Sequence, residues 1–324
     1  MLMSDSFLAH VSKTNVGNKR TANEDSFGVA DTPNGKVFVV CDGMGGHVGG
    51  ATASKLAVDC IIEFLSGEPF NNIFIGLNNA IQYANNEIHK RAKNNPELKG
   101  MGTTCTLLIA REPEIFIAHV GDSRIYIHSN NKLYRITKDH SYVQELVDQG
   151  IISDDEMETH PKKNQILKAL GISENIEPTV YSAPIHSVKG DKFLLCSDGL
   201  NGEINDANIE LLINKHQSIE NASDDLIDAA LKAGGNDNIT LQLIEVLESP
   251  FEKSDFPDYN PSKNLTDKVT DPDLGQTIID LKRNKSSKGK IIIAFTAALV
   301  CVTLGLYLLN KNEIISIDFN NNSN

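Results

Sequence analysis

Three aspartates, Asp42, Asp198 and Asp237, stand at the ends of β-rich apolar stretches, in KVFVVC-Asp42-Gly43, KFLLCS-Asp198-Gly199 and GGN-Asp237-NITLQLIEV. Each carboxylate falls where a strand adjoins a turn and a sheet meets solvent. Drawn together, such groups suit a hard divalent cation, because Mg2+ and Mn2+ favour carboxylate oxygens, keep several waters and take few protein ligands. Judged singly, each aspartate reads as a turn residue, since Asp-Gly is common hairpin punctuation. The flanks of Asp42 shift that balance. Gly43, Gly45 and Gly46 give a backbone that can approach an ion or phosphate closely, and a helix read over residues 50–65 can start behind the loop.

A second cluster lies upstream, Arg20-Thr21-Ala22-Asn23-Glu24-Asp25-Ser26. A strand-like segment over residues 27–30 and a turn at Pro33-Asn34-Gly35 join it to the first, and hairpin logic brings the two together. Arginine beside acidic metal ligands makes chemical sense if the substrate is a phosphate: its planar fork binds two phosphate oxygens and neutralises charge that cations leave uncovered. Arg20 taken alone reads equally well as a solvated surface residue.

The elements that must position these groups follow from periodicity. Strand-like runs fall at residues 36–41, 105–110, 115–120, 125–128, 192–196 and 239–246, and helical periodicity at 51–65, 73–93, 142–148 and 222–231. Short turns at Glu112-Pro113, Gly121-Asp122 and Asn130-Asn131 point to antiparallel meanders with helices packed outside, an α+β class. At 324 residues the chain has room for one large domain plus appendages, and no internal repeat is visible.

The ordered motifs carry a resemblance. Arg20 with Asn23-Glu24-Asp25-Ser26, Asp42-Gly43-Met44-Gly45-Gly46-His47, Gly102-Thr103-Thr104, His119-Val120-Gly121-Asp122-Ser123-Arg124, Thr137-Lys138-Asp139-His140-Ser141, Ala169-Leu170-Gly171, Ser197-Asp198-Gly199-Leu200 and Asp237-Asn238-Ile239-Thr240 follow one another as in the metal-dependent type 2C protein serine/threonine phosphatases. The chain resembles a bacterial member over about residues 8–247; the motifs in sequence are far more specific than any one alone.

That resemblance implies a fold of two stacked antiparallel sheets flanked by helices, an α/β/β/α sandwich with metals at one end. It implies that Asp42 bridges two Mn2+ or Mg2+ ions, that Gly43 offers its carbonyl, and that Asp198 and Asp237 complete the first ion's shell. Glu24 would hold waters of the second ion, Asp25 would orient them, Arg20 would grip the substrate phosphate, and Asp122 with Asp198 would form a weaker third metal site. The implied reaction is attack on phosphoserine or phosphothreonine by a hydroxide bridging two cations, which needs no protein nucleophile. Cys41 and Cys196 then read as small core residues of their strands.

Two departures from the family pattern stand out. Animal members carry a histidine, thought to protonate the leaving group, where this chain has Met44, and methionine donates no proton. His47 and a metal-bound water are the alternatives for that role. Residues 141–171 resemble the family's mobile flap, but Leu167-Lys168 stands where bacterial relatives often have Thr-Arg, so a substrate contact made there elsewhere is not carried over. His160, Lys162 and Lys163 read first as a solvated basic patch and second as a phosphoprotein contact.

A net charge of −13 without a basic stripe disfavours nucleic acid as a partner. Five cysteines without paired spacing fit a reducing compartment and no zinc site. The domain division reads as a phosphatase domain over 1–247, a flexible linker over 248–289 with a basic end, a transmembrane helix over 290–310 and a polar tail over 311–324. Residues 291–309 contain no charge and as a helix would reach about 28 Å, close to the hydrocarbon thickness of a bilayer. Lys282, Arg283, Lys285, Lys288 and Lys290 precede this run and Lys311 follows it, so the positive-inside rule places the catalytic domain in the cytoplasm, on the inner membrane. The first ten residues show no signal peptide.

The expected activity is that of a membrane-tethered phosphatase acting on phosphoproteins, opposed by a cognate kinase or serving a membrane machine. A catalytically silent phosphoprotein-binding module is the other class. Intact Arg20 and metal-site aspartates weigh for the enzyme, and metal-dependent turnover discriminates the two.

Overall fold

The computed structural model describes residues 7–252. Of the linker reading only residues 248–252 are described, and the transmembrane and tail readings fall outside the described residues. In chain order the elements are β1 (Leu8–Asn15), β2 (Ser26–Thr32), β3 (Gly35–Cys41), β4 (Gly43–Met44), α1 (His47–Leu65), α2 (Ile73–Asn94), β5 (Gly102–Thr103), β6 (Cys105–Arg111), β7 (Glu114–Val120), β8 (Arg124–Ser129) and β9 (Lys132–Arg135). There follow α3 (Tyr142–Asp148), α4 (Asp154–Met157), β10 (Thr179–Val180), β11 (Ile185–His186), β12 (Lys192–Cys196), α5 (Asp198–Asn201), α6 (Asp206–Lys215), α7 (Ile219–Ala233) and β13 (Ile239–Val246).

Two antiparallel sheets result. One runs β1-β13-β12-β8-β9; the other runs β10-β7-β6-β3-β2, with β11 also pairing β7. Side-chain alternation along the strands sorts residues into three apolar layers. From β3, Val37, Val39 and Cys41 face α1 and α2, where they meet Ile61, Leu77 and Ile81. Phe38 and Val40 point the other way, toward Ile125, Ile127, Phe193 and Ile244 of the opposite sheet. Beyond that sheet, Tyr126, Leu194 and Leu241 pack on Ile209, Ile213 and Leu226 of α6 and α7. β3 reads as an unbroken apolar run because both its faces are covered. Phe38 is fully buried between the sheets, where truncation to alanine costs about 3–5 kcal/mol.

The predicted hairpins are present at Pro33-Asn34, Glu112-Pro113 and Asn130-Asn131; the last has φ of 54° and 62°, as a twisted two-residue hairpin requires. Gly121-Asp122 is different. It joins β7 to β8, which belong to different sheets, so this turn is a crossover at the end of the sandwich rather than a meander.

Other elements were invisible to periodicity. β1 pairs with β13 over its whole length, from Leu8↔Val246 to Asn15↔Ile239, but its mixed sequence LAHVSKTN shows no sustained alternation. α6 and the single turn of α4 also lie beyond the predicted helices, α4 being held by a capping box in which Ser153 and Glu156 bond reciprocally. α1 begins at His47, earlier than predicted, and takes Gly49 and Gly50 into its first turns. Among the described residues no helix is long and apolar enough to cross a membrane.

Candidate metal centre

The β2–β3 register sets the first half of the site. Ser26 pairs with Cys41, so Asp25 and Asp42 emerge at the same sheet end. Asp42 is held by its backbone: its N–H donates to Thr104 Oγ1 at 2.9 Å, and its carbonyl accepts from Thr103 Oγ1 at 2.7 Å and the Thr104 N–H at 2.9 Å. Gly43 then pairs with Thr103. A Cβ on Gly43 would lie 2.2 Å from the Gly50 carbonyl oxygen, so only glycine lets α1 pack this close behind the loop.

The other sheet supplies the second half. The Ser197 N–H donates to the Thr240 carbonyl at 3.0 Å, prolonging the β12–β13 pairing to the residue before Asp198. Asp198 opens α5 rather than standing in a simple turn. Asp237 precedes β13, and its Oδ1 accepts from the Asn238 N–H at 2.8 Å. Asn238 sews the two halves together: its Oδ1 accepts from the Glu24 N–H at 2.8 Å, and its Nδ2 donates to the carbonyls of Val16 and Ala22, both at 2.9 Å.

Arg20, Glu24, Asp25, Asp42, Gly43, Asp198 and Asp237 thus converge at one end of the sandwich. Asp122 joins them from the β7–β8 crossover and, with Asp198, lines a cavity of about 240 Å³ between the 157–164 segment and the start of α6. Arg20 is exposed and donates to Asp237 Oδ2 at 2.7 Å. Glu24 is buried, its carboxylate so close to Gly50 that a Cβ there would lie 1.9 Å from Oε2.

The electrostatics are those of crowded anions. Asp25, Asp42, Asp122, Asp198 and Asp237 are half-buried. Burial first, then Asp25, Asp198 and Asp122, push the Asp42 carboxyl well above its usual range. Burial and Asp198 do the same to Asp122, and burial and Asp237 raise the Asp198 carboxyl. Burial raises Asp25 to about 7 against the hydrogen bonds from Thr240 and Ser197 that favour its charged form. Ser197 Oγ donates to Asp25 Oδ2 at 2.7 Å, yet Asp25 Oδ1 and Asp198 Oδ1 are buried and have no donor.

This donor set fits hard divalent cations: all oxygen, two buried acceptors without donors, and carboxylates that repel one another until positive charge is supplied. Among the described residues no group of three His, Cys, Asp or Glu side chains is arranged to cage an ion directly. Among the described residues the cysteines form no disulfide: Cys41, Cys60, Cys105 and Cys196 are buried, and burial raises the Cys41 thiol well above its ordinary value.

Several residues that organise the site had no role assigned from sequence. Thr103 and Thr104 clamp Asp42, Ser197 binds Asp25, and Asn238 ties Glu24 to β13; all lay inside motifs, but nothing in their types announced these bonds. Arg124 is buried and forks onto Asp139, with Nε at 3.0 Å from Oδ1 and Nη2 at 2.8 Å from Oδ2, fixing the start of the flap beside Asp122. In the flap, Lys162 lies over the Tyr142 ring at 4.8 Å, whereas Lys163 borders the cavity that Asp122 and Asp198 line.

Comparison with known proteins agrees with this geometry. Residues 17–248 match the family described as Protein phosphatase 2C. The serine/threonine phosphatase stp of Listeria monocytogenes is 37% identical over 238 residues, covering 72% of this chain and 94% of that protein. The crystal structure of the Mycobacterium tuberculosis phosphatase PstP/Ppp superposes with a TM-score of 0.69 at 32% identity, covering 75% of this chain and 100% of that one. The PstP catalytic domain in complex with two manganese ions gives a TM-score of 0.67 at 32% identity over 75% of this chain and 99% of that one. With its sandwich, its acidic end and its sequence all in agreement, the chain belongs to the protein phosphatase 2C family.

Proposed function

We propose that this chain is a membrane-tethered serine/threonine protein phosphatase working through two Mn2+ or Mg2+ ions, with a third beside Asp122. As a member of the family it is a metal-dependent protein phosphatase; the ion count, the residue roles and the tether are our reading. The observation that carries it is the convergence of Asp25, Asp42, Asp198 and Asp237 around buried carboxylate oxygens that lack donors.

Asp42 and the Gly43 carbonyl would hold the two ions together with Asp198 and Asp237, while Glu24 would hold waters and Asp25 would orient them. Asp122 with Asp198 would take the third. When bound, the ions supply Lewis acidity and lower the pKa of water, so that attack on phosphorus proceeds near neutral pH. The chain's own contribution is placement. Arg20 is exposed beside Asp237, with Glu24 and Asp42 in electrostatic range, and its guanidinium can fork onto two phosphoryl oxygens at the mouth. Ser197 orients Asp25 from behind, and the Thr103–Thr104 clamp stops Asp42 from drifting as charge redistributes. Met44 donates no proton, which leaves the leaving group to be protonated by another group of the recess.

The tether rests on sequence: the uncharged run 291–309 and the basic residues before it support a single span with the phosphatase domain, 1–247, on the cytoplasmic side of the membrane, joined through the 248–289 linker. Its substrates would be phosphoproteins near that membrane, and its counterpart a serine/threonine kinase or a membrane machine. The test is hydrolysis of a phosphothreonine peptide by the full chain: turnover is expected only with added Mn2+ or Mg2+ and is lost in Asp42→Ala and Asp237→Ala. Metal-independent turnover, or none with either ion, overturns the reading. Loss of residues 290–324 is expected to release the protein from the membrane fraction with peptide turnover unchanged.

A further inference from the structure

α2 carries one polar face where a helix packed on a sheet would ordinarily be apolar. Gln82, Asn85 and His89 fall at helical spacing on it, and all three reach the chain that follows the flap. Asn85 is fully buried and satisfies three backbone groups: its Oδ1 accepts from the Gly171 N–H at 2.8 Å, and its Nδ2 donates to the carbonyls of Ser173 at 3.0 Å and Glu174 at 3.1 Å. His89 Nδ1 meets the Gly171 carbonyl at 3.1 Å, and Gln82 Nε2 donates to the Ile176 carbonyl. Gly171, with φ of 87°, lies so tightly on α2 that a Cβ would come 2.3 Å from Ile88 Cγ2.

The bonds continue inward. Leu170, next to Gly171, pairs with Thr103 in both directions, N–H to carbonyl at 2.8 Å and 3.1 Å. Thr103 is the residue whose hydroxyl binds the Asp42 carbonyl and whose backbone pairs with Gly43. A single route therefore runs from Asn85 through Gly171, Leu170 and Thr103 to Asp42-Gly43, and every link is a hydrogen bond or a peptide bond.

We infer that Asn85 is a positioning residue for the metal centre, holding the Leu170–Thr103 pairing that sets the Asp42-Gly43 backbone. The inference rests on the proposed role of Asp42 and Gly43. It assigns to α2, which contributes no side chain to the recess, the job of fixing the loop that does. Removing the amide frees one donor and two acceptors at once, so the Gly171–Glu174 segment loosens and Thr103 loses its fixed partner.

The test compares Asn85→Ala with Asn79→Ala in the full chain. Asn79 is just as buried on α2 but bonds Asn78 and not the post-flap segment, so it controls for ordinary loss of helix packing. Two readouts are taken: Mn2+ affinity by calorimetry and hydrogen exchange at the Thr103 amide. Asn85→Ala is expected to bind Mn2+ about tenfold more weakly and to exchange faster at Thr103, with kcat recovering at high Mn2+. Asn79→Ala is expected to leave both readouts near wild type. Equal effects in the two variants, or unchanged Thr103 exchange in Asn85→Ala, overturn the assignment. If the wild-type chain itself took up no Mn2+, the metal-centre reading would fall, and Thr103 exchange alone would still decide whether Asn85 holds the pairing.

Discussion

Arg20 Nη2 donates to Asp237 Oδ2 at 2.7 Å, joining the residue best placed to bind phosphate to one of the three carboxylates best placed to bind metal. The guanidinium is exposed and Asp237 half-buried, so the pair sits at the mouth of the recess and adds little to stability. On the proposed reading its value is electrostatic placement: Asp237 keeps the arginine fork at the edge over which a phosphoryl group would pass.

Substituting Arg20 should therefore separate binding of phosphate from binding of metal. Arg20→Ala is expected to lower kcat/KM for a phosphothreonine peptide by about 100-fold, the scale of a lost transition-state donor, with Mn2+ affinity kept within severalfold. Arg20→Lys should recover part of this, since a point charge replaces the fork. Steady-state kinetics with calorimetry check both; a loss confined to Mn2+ affinity would remove the phosphate role.

Gly50→Ala inverts the usual helix rule. Alanine inside a helix is ordinarily about 1 kcal/mol more favourable than glycine. Here its Cβ would stand 1.9 Å from Glu24 Oε2 and 2.9 Å from the Gly43 carbonyl carbon. Glu24 must move, and Mn2+ affinity is expected to fall by about 10- to 100-fold without a gain in unfolding free energy. Wild-type metal affinity in this variant would show that the Glu24 position is not needed.

In chelator-treated protein the recess makes stability depend on pH in an uncommon direction. Asp25 titrates at about 7 in the fold against 3.8 when unperturbed, because burial and its acidic neighbours favour the protonated form. The stability it contributes is present in full below 3.8 and is lost as pH rises through 7. The melting temperature should fall across that window, Asp25→Asn should flatten the slope, and Mn2+ should stabilise most at the alkaline end. The variant pairing is needed because His119 works oppositely. Burial depresses its imidazole to about 4, so it costs stability as pH falls below 6.5. Identical pH profiles for wild type and Asp25→Asn would contradict the assignment.

The Arg124–Asp139 pair should be the costliest polar contact to break. Both groups are buried and bonded by two guanidinium nitrogens. Asp139→Ala leaves the buried Arg124 with only the Tyr126 hydroxyl at 3.2 Å and a long contact to Asp206 at 3.8 Å, and is expected to cost about 3 kcal/mol in urea unfolding. A cost below about 1 kcal/mol would mean that water already screens the pair.

The sequence by itself determined the class of chemistry and most of the elements that carry it. Strand-end aspartates in KVFVVC-Asp42 and KFLLCS-Asp198, a phosphate-type arginine and eight ordered motifs are local properties, and the short apolar runs of β3, β6, β7 and β12 need no partner to be visible. The α+β class followed from the runs and turns, and the two stacked sheets from the resemblance that the ordered motifs carry. β1 and α6 were not legible, because β1 exists through its pairing with β13, more than two hundred residues away, and pairing at that distance leaves little trace in LAHVSKTN. Tertiary structure alone decided that Gly121-Asp122 crosses between sheets, carrying Asp122 to the same end as Asp198. It also decided that Thr103, Thr104, Ser197, Asn238 and Asn85 are the groups that hold the acidic recess in shape. Their work is hydrogen bonding to backbone from far along the chain, and a threonine or asparagine that bonds a distant carbonyl looks, in sequence, like any other.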